Sequence, residues 1–177
     1  MKRLCLIGFA LIVLAACGHK TQVQESTADS TVMDPAMVEA QVRACFDTVN
    51  KMGEKGAVNI TQLDSMFCSK DFLELQGKLY KKVRESKGAT MFDGDEGHHW
   101  LPGIGTPLTI DTVMTELVSD ELAQAEVWLK DEHGNQGHLN LTLYLEDDVW
   151  KIHNWTDKDV YPSGSLFEWM WHIFNGE

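Results

Sequence analysis

Basic residues are scarce in this chain of 177 residues, where 15 Lys and Arg stand against 27 Asp and Glu. The imbalance argues against nucleic acid and against anionic lipid as electrostatic partners, because both are bound through positive charge. The sequence also lacks a Gly-rich phosphate loop, a nucleophile elbow and a His-Glu-x-x-His pattern. These absences disfavour a nucleotide enzyme, a standard hydrolase of the nucleophile-elbow type and a metalloprotease.

The N-terminus has the layout of a secretory signal peptide. Met1-Lys2-Arg3 is basic, Leu4 to Val13 is apolar apart from Gly8, and Leu14-Ala15-Ala16-Cys17 follows. The apolar run is shorter than the roughly 20 residues of a spanning helix. The last four residues resemble the bacterial lipobox, which implies cleavage before Cys17 and acylation of that cysteine. Several acyl chains hold a protein firmly, since each buried methylene contributes about 0.8 kcal/mol.

This layout predicts a signal peptide over residues 1–16 and, over 17–33, a lipidated Cys17 followed by a flexible tether rich in Gln, Ser and Thr. The protein is then expected on the cell membrane or outer membrane, anchored through lipid and facing the periplasm. Gly18 favours the outer membrane, because an aspartate at that place marks inner-membrane retention in enteric bacteria. The alternative is an ordinary secreted protein whose signal ends near a cysteine.

Loss of Lys2 and Arg3 leaves 13 basic residues against 27 acidic ones, a formal charge of −14 for the mature chain. Such a charge favours solubility. It is typical of a solvated acidic surface, and it also suits a cationic ligand.

Two cysteines, Cys45 and Cys68, remain after Cys5 is removed and Cys17 is acylated. An oxidising compartment permits a disulfide between them. The other hypothesis is a pair of buried thiols packed as small apolar groups. Sequence alone does not give the distance between the two Cα atoms, so both hypotheses stay open.

Three helices are predicted in the first half of the domain, which is expected to span residues 34–177. Asp34-Pro35 is a good helix start, and apolar residues then recur at helical spacing as far as Met52. Thr61 with Asp64 resembles a capping box and predicts a short second helix. Ser69 or Asp71 is expected to cap a third helix that ends before Gly88.

From residue 108 the apolar period changes to two, which predicts about four antiparallel strands. The clearest run alternates Leu139, Leu141, Leu143 and Leu145 with polar residues, and Asp147-Asp148 predicts a tight turn. Helices followed by a meander indicate an α+β fold, in which the N-terminal helices pack on the apolar face of a curved sheet. A short aromatic helix is expected at the C-terminus.

This order of elements resembles the nuclear-transport-factor-2-like (cystatin-like) superfamily, and more narrowly its envelope lipoproteins of unknown function. The resemblance covers about residues 36–156 and rests on Asp93-x-Asp95, Trp100 and the final Asp148-Val149-Trp150-Lys151-Ile152. It implies a cone-like sheet around a pocket that holds a His or Asp in some members. The segment after Trp155 departs from the superfamily pattern, and no catalytic motif accompanies the likeness.

A long loop is predicted over residues 86–107, and within it Asp93 to Trp100 is the densest polar cluster. Its acidic residues, Asp93, Asp95 and Glu96, suit calcium, whereas His98 and His99 suit zinc. The loop is not an EF-hand. The other hypotheses are a structural loop with Asp side chains capping backbone amides and a loop carrying a catalytic group.

Two further hypotheses concern the pocket and the tail. Alternation of side chains along the last strand places Lys151 and His153 on the face of Val149 and Trp155. A dyad of His153 and Asp111 is then the catalytic pair that can be imagined from the sequence. The tail after Ser165 is apolar nearly all round. Three positions are open to the tail: the free sheet face near Trp128 and Tyr144, a surface of another protein or of a second copy, and the membrane interface. Its aromatic residues are Phe167, Trp169, Trp171 and Phe174.

These features together predict a lipid-anchored periplasmic module for binding or assembly in the cell envelope. It is expected to lack catalytic activity and any cofactor. Its expected partners are the membrane, through lipid, and a protein partner, a second copy or a small apolar ligand, but no nucleic acid. The alternative is a small hydrolase or isomerase that uses a His/Asp pocket inside the cone.

Overall fold

The computed structural model describes residues 34–85, 99–101, 104–157, 161 and 163–176. Within them the elements are α1 (Pro35–Gly53), α2 (Ile60–Phe67), α3 (Lys70–Glu85), β1 (Leu108–Ser119), β2 (Leu122–Asp131), β3 (Gln136–Glu146), β4 (Val149–Thr156) and α4 (Leu166–Asn175). Three helices precede the strands and one follows them. The expected α+β class is therefore confirmed.

The strands form one curved, open antiparallel sheet in the order β1-β2-β3-β4. The period-two pattern of β2 and β3 sends their Ala, Val and Leu side chains, apart from Leu122, to one face, where nearly all of them are buried. Asp147 and Asp148, with φ values of 51° and 62°, form the two-residue turn between β3 and β4. Positive φ at both positions is what a type I′ hairpin turn requires, so the predicted tight turn is confirmed.

Helix α1 begins where the sequence predicts. The Asp34 side chain accepts a hydrogen bond from the Ala36 amide at 2.9 Å, and Pro35 occupies the first turn. The helix packs on β1 and on part of β2. At its far end Asn50 donates to the Leu108 carbonyl at 2.7 Å and accepts from the Leu108 amide at 2.6 Å, which fixes the start of β1.

Helix α2 begins earlier than the capping-box pattern indicates. Asn59 is the N-cap, and its side chain accepts from the Gln62 amide at 2.9 Å. The expected partners Thr61 and Asp64 lie inside the helix, and Asp64 faces the core with Leu63 and Phe67. The predicted cap was wrong because a better capping residue precedes it by two positions.

The segment between α2 and α3 covers the β4 edge of the sheet. Cys68 forms a parallel bridge with Ile152, and the Ser69 amide donates to the Ile152 carbonyl at 2.9 Å. The Ser69 hydroxyl accepts from the Phe72 amide at 3.2 Å, so Ser69 caps α3 as expected. Further along β4, Thr156 bridges with Ser165 at the start of α4.

A register shift in β4 changes the faces that alternation predicts. Leu143 pairs with Ile152 and Thr142 with Asn154, so one residue of β4, His153, is bulged. Trp155 consequently faces the core with Ile152, and the expectation that it shares the face of His153 was wrong. Among the described helices none is both long and apolar enough to cross a membrane.

Candidate functional site

A buried carboxylate, that of Asp64 on α2, is the centre of a hydrogen-bonded group in the core. Its Oδ1 accepts from His99 Nε2 at 3.0 Å and from Trp100 Nε1 at 2.7 Å. Its Oδ2 accepts from Gln76 Nε2 on α3 at 2.8 Å. The Cys68 thiol lies 3.8 Å from Oδ1. One side chain therefore connects α2, α3 and residues 99–100.

Solvent is largely excluded from this group, since Asp64 is 1% exposed and His99 is 4% exposed. Burial opposes the charged carboxylate, but the hydrogen bond and the electrostatic attraction of His99, with the hydrogen bonds from Gln76 and Trp100, outweigh it. The pKa of Asp64 therefore lies below its ordinary value. The carboxylate is therefore an acceptor, and His99 Nε2 carries the hydrogen between them. A satisfied and inaccessible carboxylate holds neighbouring segments together.

Aromatic rings surround the carboxylate. The His99 ring lies 4.8 Å from that of Trp155, edge to face, and Trp100 lies 5.4 Å from Trp155. Trp100 also meets Phe46 of α1 at 6.2 Å and Phe67 of α2 at 6.1 Å. These contacts seat residues 99 and 100 between the helices and β4, and edge-to-face pairs stabilise such packing.

Most of the predicted loop site lies outside the described residues, namely Asp93, Asp95, Glu96 and His98. The remaining member, His99, is bonded to Asp64 rather than turned towards solvent. Over the described ranges no group of three or more His, Cys, Asp or Glu side chains is arranged to hold a metal ion.

Cys45 and Cys68 are both free, buried thiols. Burial raises the pKa of Cys45 to about 12. Burial, with the nearby charge of Asp64, raises that of Cys68 further. Both thiols are therefore protonated at neutral pH and serve as apolar packing groups, because only a thiolate is a good nucleophile. Cys17 lies outside the described residues.

The imagined dyad of His153 and Asp111 is not formed. Asp111, on β1, pairs with Lys130 at 2.8 Å, whereas His153 lies on β4 at the opposite edge of the sheet. His153 Nδ1 lies 2.9 Å from the hydroxyl of Ser69. Burial lowers the pKa of His153, and the nearby Asp71 and Glu146 oppose that shift.

The aromatic tail forms α4, which packs against α3 and β4. Leu166 and Met170 are buried, the predicted interaction residues Phe167, Trp169 and Phe174 are half-buried, and Trp171 is 51% exposed. Phe167 reaches His153 at 4.6 Å, and His153 in turn stacks on Tyr144 at 4.3 Å.

The tail was expected on the free sheet face near Trp128 and Tyr144. Helix α4 packs on α3 and β4, and it approaches Tyr144 through the ring of His153. The bridge between Thr156 and Ser165 explains this placement, because it holds the start of α4 beside β4.

The outer face of the sheet carries two shallow grooves. One, of about 240 Å³, lies between β1 and β2 and includes Met114, Glu116 and Glu126. The other, of about 300 Å³, lies near the β2–β3 end and includes Leu122, Tyr144 and Glu146. Both volumes lie at or below the lower limit for ligand pockets, about 300 Å³, so these grooves offer little enclosure for a small molecule.

Sequence reasoning missed the central roles of Asp64 and Gln76. Both signals were present, since each polar residue stands on an apolar helix face: Asp64 beside Leu63 and one turn before Phe67, and Gln76 beside Leu75 and one turn after Phe72. A polar residue at such a position needs a buried partner. The partners, at residues 99 and 100, are too distant in sequence for helical spacing to identify.

Comparisons of the chain with protein-family models, with curated proteins and with solved structures gave no match.

Proposed function

We propose that the chain is a lipid-anchored protein of the bacterial cell envelope, facing the periplasm, whose domain binds or assembles with a partner and performs no catalysis. The proposal that the domain performs no catalysis rests on the burial and the hydrogen bonding of Asp64 and His99. Both oxygens of the carboxylate accept hydrogen bonds, and the pair is nearly inaccessible to solvent. A catalytic base must instead come within hydrogen-bond reach of a substrate proton.

The proposed fold relationship is a cone-like domain of the nuclear-transport-factor-2-like superfamily with an added C-terminal aromatic helix. Support comes from the order of elements, with three helices before a curved four-stranded meander. The packing of Trp100 and Trp155 between the helices and the sheet favours a filled interior over an open pocket. A filled interior leaves the surface of the domain as the place where a partner binds.

The main alternative, an enzyme of hydrolase or isomerase type, is favoured by one observation. A His–Asp pair with 3.0 Å between its polar atoms exists in the core, although it is His99 and Asp64 rather than the pair imagined from the sequence. In that alternative a pocket would open onto His99 and admit a small molecule.

Chemical modification of histidines distinguishes the two functions. Native protein is treated with diethyl pyrocarbonate, and the modified peptides are quantified by mass spectrometry over time. We expect His133 and His138, whose side chains are 75% and 45% exposed, to react quickly. His99 should react only after unfolding in urea. Modification of native His99 at the rate of His138 would reveal an accessible pocket and support the enzyme.

The lipid anchor is tested separately. Expressed in a bacterium fed with labelled palmitate, the full chain should enter the membrane fraction with label at Cys17, because the lipobox-like Leu14-Ala15-Ala16-Cys17 directs acylation. The variant Cys17→Ser should be unlabelled and either unprocessed or soluble. A Cys17→Ser protein that is still processed and bound to the membrane would overturn the anchor.

A further inference from the structure

The two edges of the sheet differ. At the β4 edge, Cys68, Ser69 and Ser165 pair with the strand, and α4 packs beside it. At the β1 edge, the strand pairs with β2 on one side, and across the described ranges no segment pairs with its other side. The hydrogen bond of Thr115 to the Pro35 carbonyl, at 3.1 Å, comes from its side chain and does not use the backbone of β1.

Between its two register shifts, the β1 edge carries no Pro, Lys or bulge that would block pairing with another strand. Register shifts occur at Ile110/Thr112 and at Leu117/Ser119, and between them residues 112–117 run without a bulge. This stretch contains no Pro, Gly, Lys or Arg, and its one charge is that of Glu116. Native proteins protect edge strands with Pro, Lys, bulges or a covering segment. Alternate residues of such a stretch present both N–H and C=O to a partner.

The core is also incompletely covered at this edge. Inward-facing Val113 and Leu117 on β1 are only half-buried, whereas their partners on β2, Val127 and Ala123, are fully buried. On the outer face Met114 is 54% exposed, and Val118, at the second register shift, is 52% exposed. A strand added at the edge would therefore bury apolar surface on both faces of the sheet.

We propose that β1 is the interface for a second copy of this chain, through antiparallel β1–β1 pairing about a two-fold axis at Thr115. In a two-fold pair, residues opposite each other must face the same side of the sheet, so the axis has to pass through a residue position. An axis at Glu116 would set like charges opposite each other, which is destabilising.

The axis at Thr115 gives the most complementary pairs. It sets Val113 opposite Leu117 of the second copy, which joins the two half-buried apolar side chains on the inner face. It sets Glu116 opposite Met114 on the outer face, so no charge opposes a charge of the same sign. An axis at Met114 would instead set Leu117 opposite Asp111, which lies at the first register shift of β1 and pairs with Lys130. Self-complementarity about Thr115 favours a second copy over an unrelated peptide.

Pairing through β1 rests on the proposed assembly role and names a second copy as the partner. It can be tested separately from the lipid anchor, because Cys17→Ser removes lipidation without changing β1. The test uses the full chain, with and without Cys17→Ser, carrying Thr115→Cys. Membranes or extracts are oxidised, and covalent products are resolved on non-reducing gels. Thr112→Cys is the matched control, because the two copies of that position lie six residues apart along the paired strands, roughly 20 Å.

We expect Thr115→Cys to give a covalent dimer, since directly opposite residues lie about 4.5–5.5 Å apart, and Thr112→Cys and wild type to give none. A product at any mass other than twice the chain, or equal cross-linking of Thr112→Cys, would overturn the proposal.

A second pair of variants guards against misfolding at position 115. Met114→Glu sets like charges opposite Glu116 twice and should weaken association about tenfold by sedimentation. Met66→Glu makes the same change at an exposed site on α2, away from the edge, and should have no effect. A monomeric wild type at several hundred micromolar, or equal association of the two variants, would refute β1 pairing.

Discussion

At the scale of single residues, Asp64 joins parts of the chain that are far apart in sequence. Its carboxylate accepts from Gln76, His99 and Trp100, which come from α3 and from the segment before β1. A charged group at 1% exposure is tolerated because its oxygens are satisfied, and removing the charge leaves donors without an acceptor.

We expect Asp64→Asn to lower the free energy of unfolding at pH 7 by about 3 kcal/mol, because the new amide turns donor hydrogens towards existing donors. The pKa of Asp64 is lowered by folding. Its contribution is therefore present above the ordinary carboxyl pKa of about 3.9 and is lost as the pH falls through the lower folded value. Urea denaturation at pH 7 and across pH 2–5 measures both effects.

The control is Asp111→Asn, which removes an exposed carboxylate paired with Lys130. Its cost should stay below about 1 kcal/mol, because exposed ion pairs contribute little. Wild type should lose stability below about pH 4 more steeply than Asp64→Asn. Two results would show that Asp64 does not hold the core together. One is an equal loss in the free energy of unfolding for Asp64→Asn and Asp111→Asn, and the other is the same dependence of stability on pH for wild type and Asp64→Asn.

At the scale of elements, α4 is fixed at both ends as well as along one face. The Ser165 side chain caps it by accepting from the Glu168 amide at 3.3 Å, and Gly176 ends it with a φ of 77°. Lys82 of α3 donates to the Phe174 carbonyl and lies 5.5 Å from the Phe174 ring centre. A cation at the C-terminal end of a helix stabilises it.

Substitutions by Ala at two neighbouring residues of α4 should lower the free energy of unfolding by very different amounts. Met170→Ala should lower the free energy of unfolding by about 2–5 kcal/mol, because Met170 is buried and its loss leaves a cavity. Trp171→Ala should change it by less than about 0.5 kcal/mol, because that side chain is exposed. Chemical denaturation of both variants measures this. A large loss for Trp171→Ala would mean that this face of α4 is covered by a partner.

The elements themselves were largely predictable. Apolar spacing gave the helices and the four strands, and Asp34-Pro35 and Asp147-Asp148 gave a helix start and a turn, because each of these signals is local. The bulge at His153 was not predictable, since it depends on how β4 pairs with β3. The position of α4 also depends on a distant contact, the bridge between Thr156 and Ser165.

At the scale of the whole molecule, charge and the proposed pairing act against each other. The chain carries a formal charge of −12, so two copies repel at long range, while the proposed β1 contact contains one acidic residue per copy. Dissolved salt screens repulsion over about 10 Å at 0.1 M.

Association of the unlipidated Cys17→Ser chain should therefore strengthen as salt rises from about 20 to about 300 mM. Sedimentation equilibrium at both salt concentrations measures this. Met66→Glu is the control, because it adds a negative charge and leaves the β1 edge unchanged. Association that weakens with salt would indicate opposite charges across the contact, which pairing about Thr115 does not contain.

The closed β4 edge sets a limit on growth. A sheet with two open edges has a valence of two and can add copies indefinitely, as in a fibril. Across the described residues this sheet has a valence of one, since Cys68, Ser69 and Ser165 already occupy the other side. The proposed pairing through β1 would therefore end with two chains, even at high local concentration.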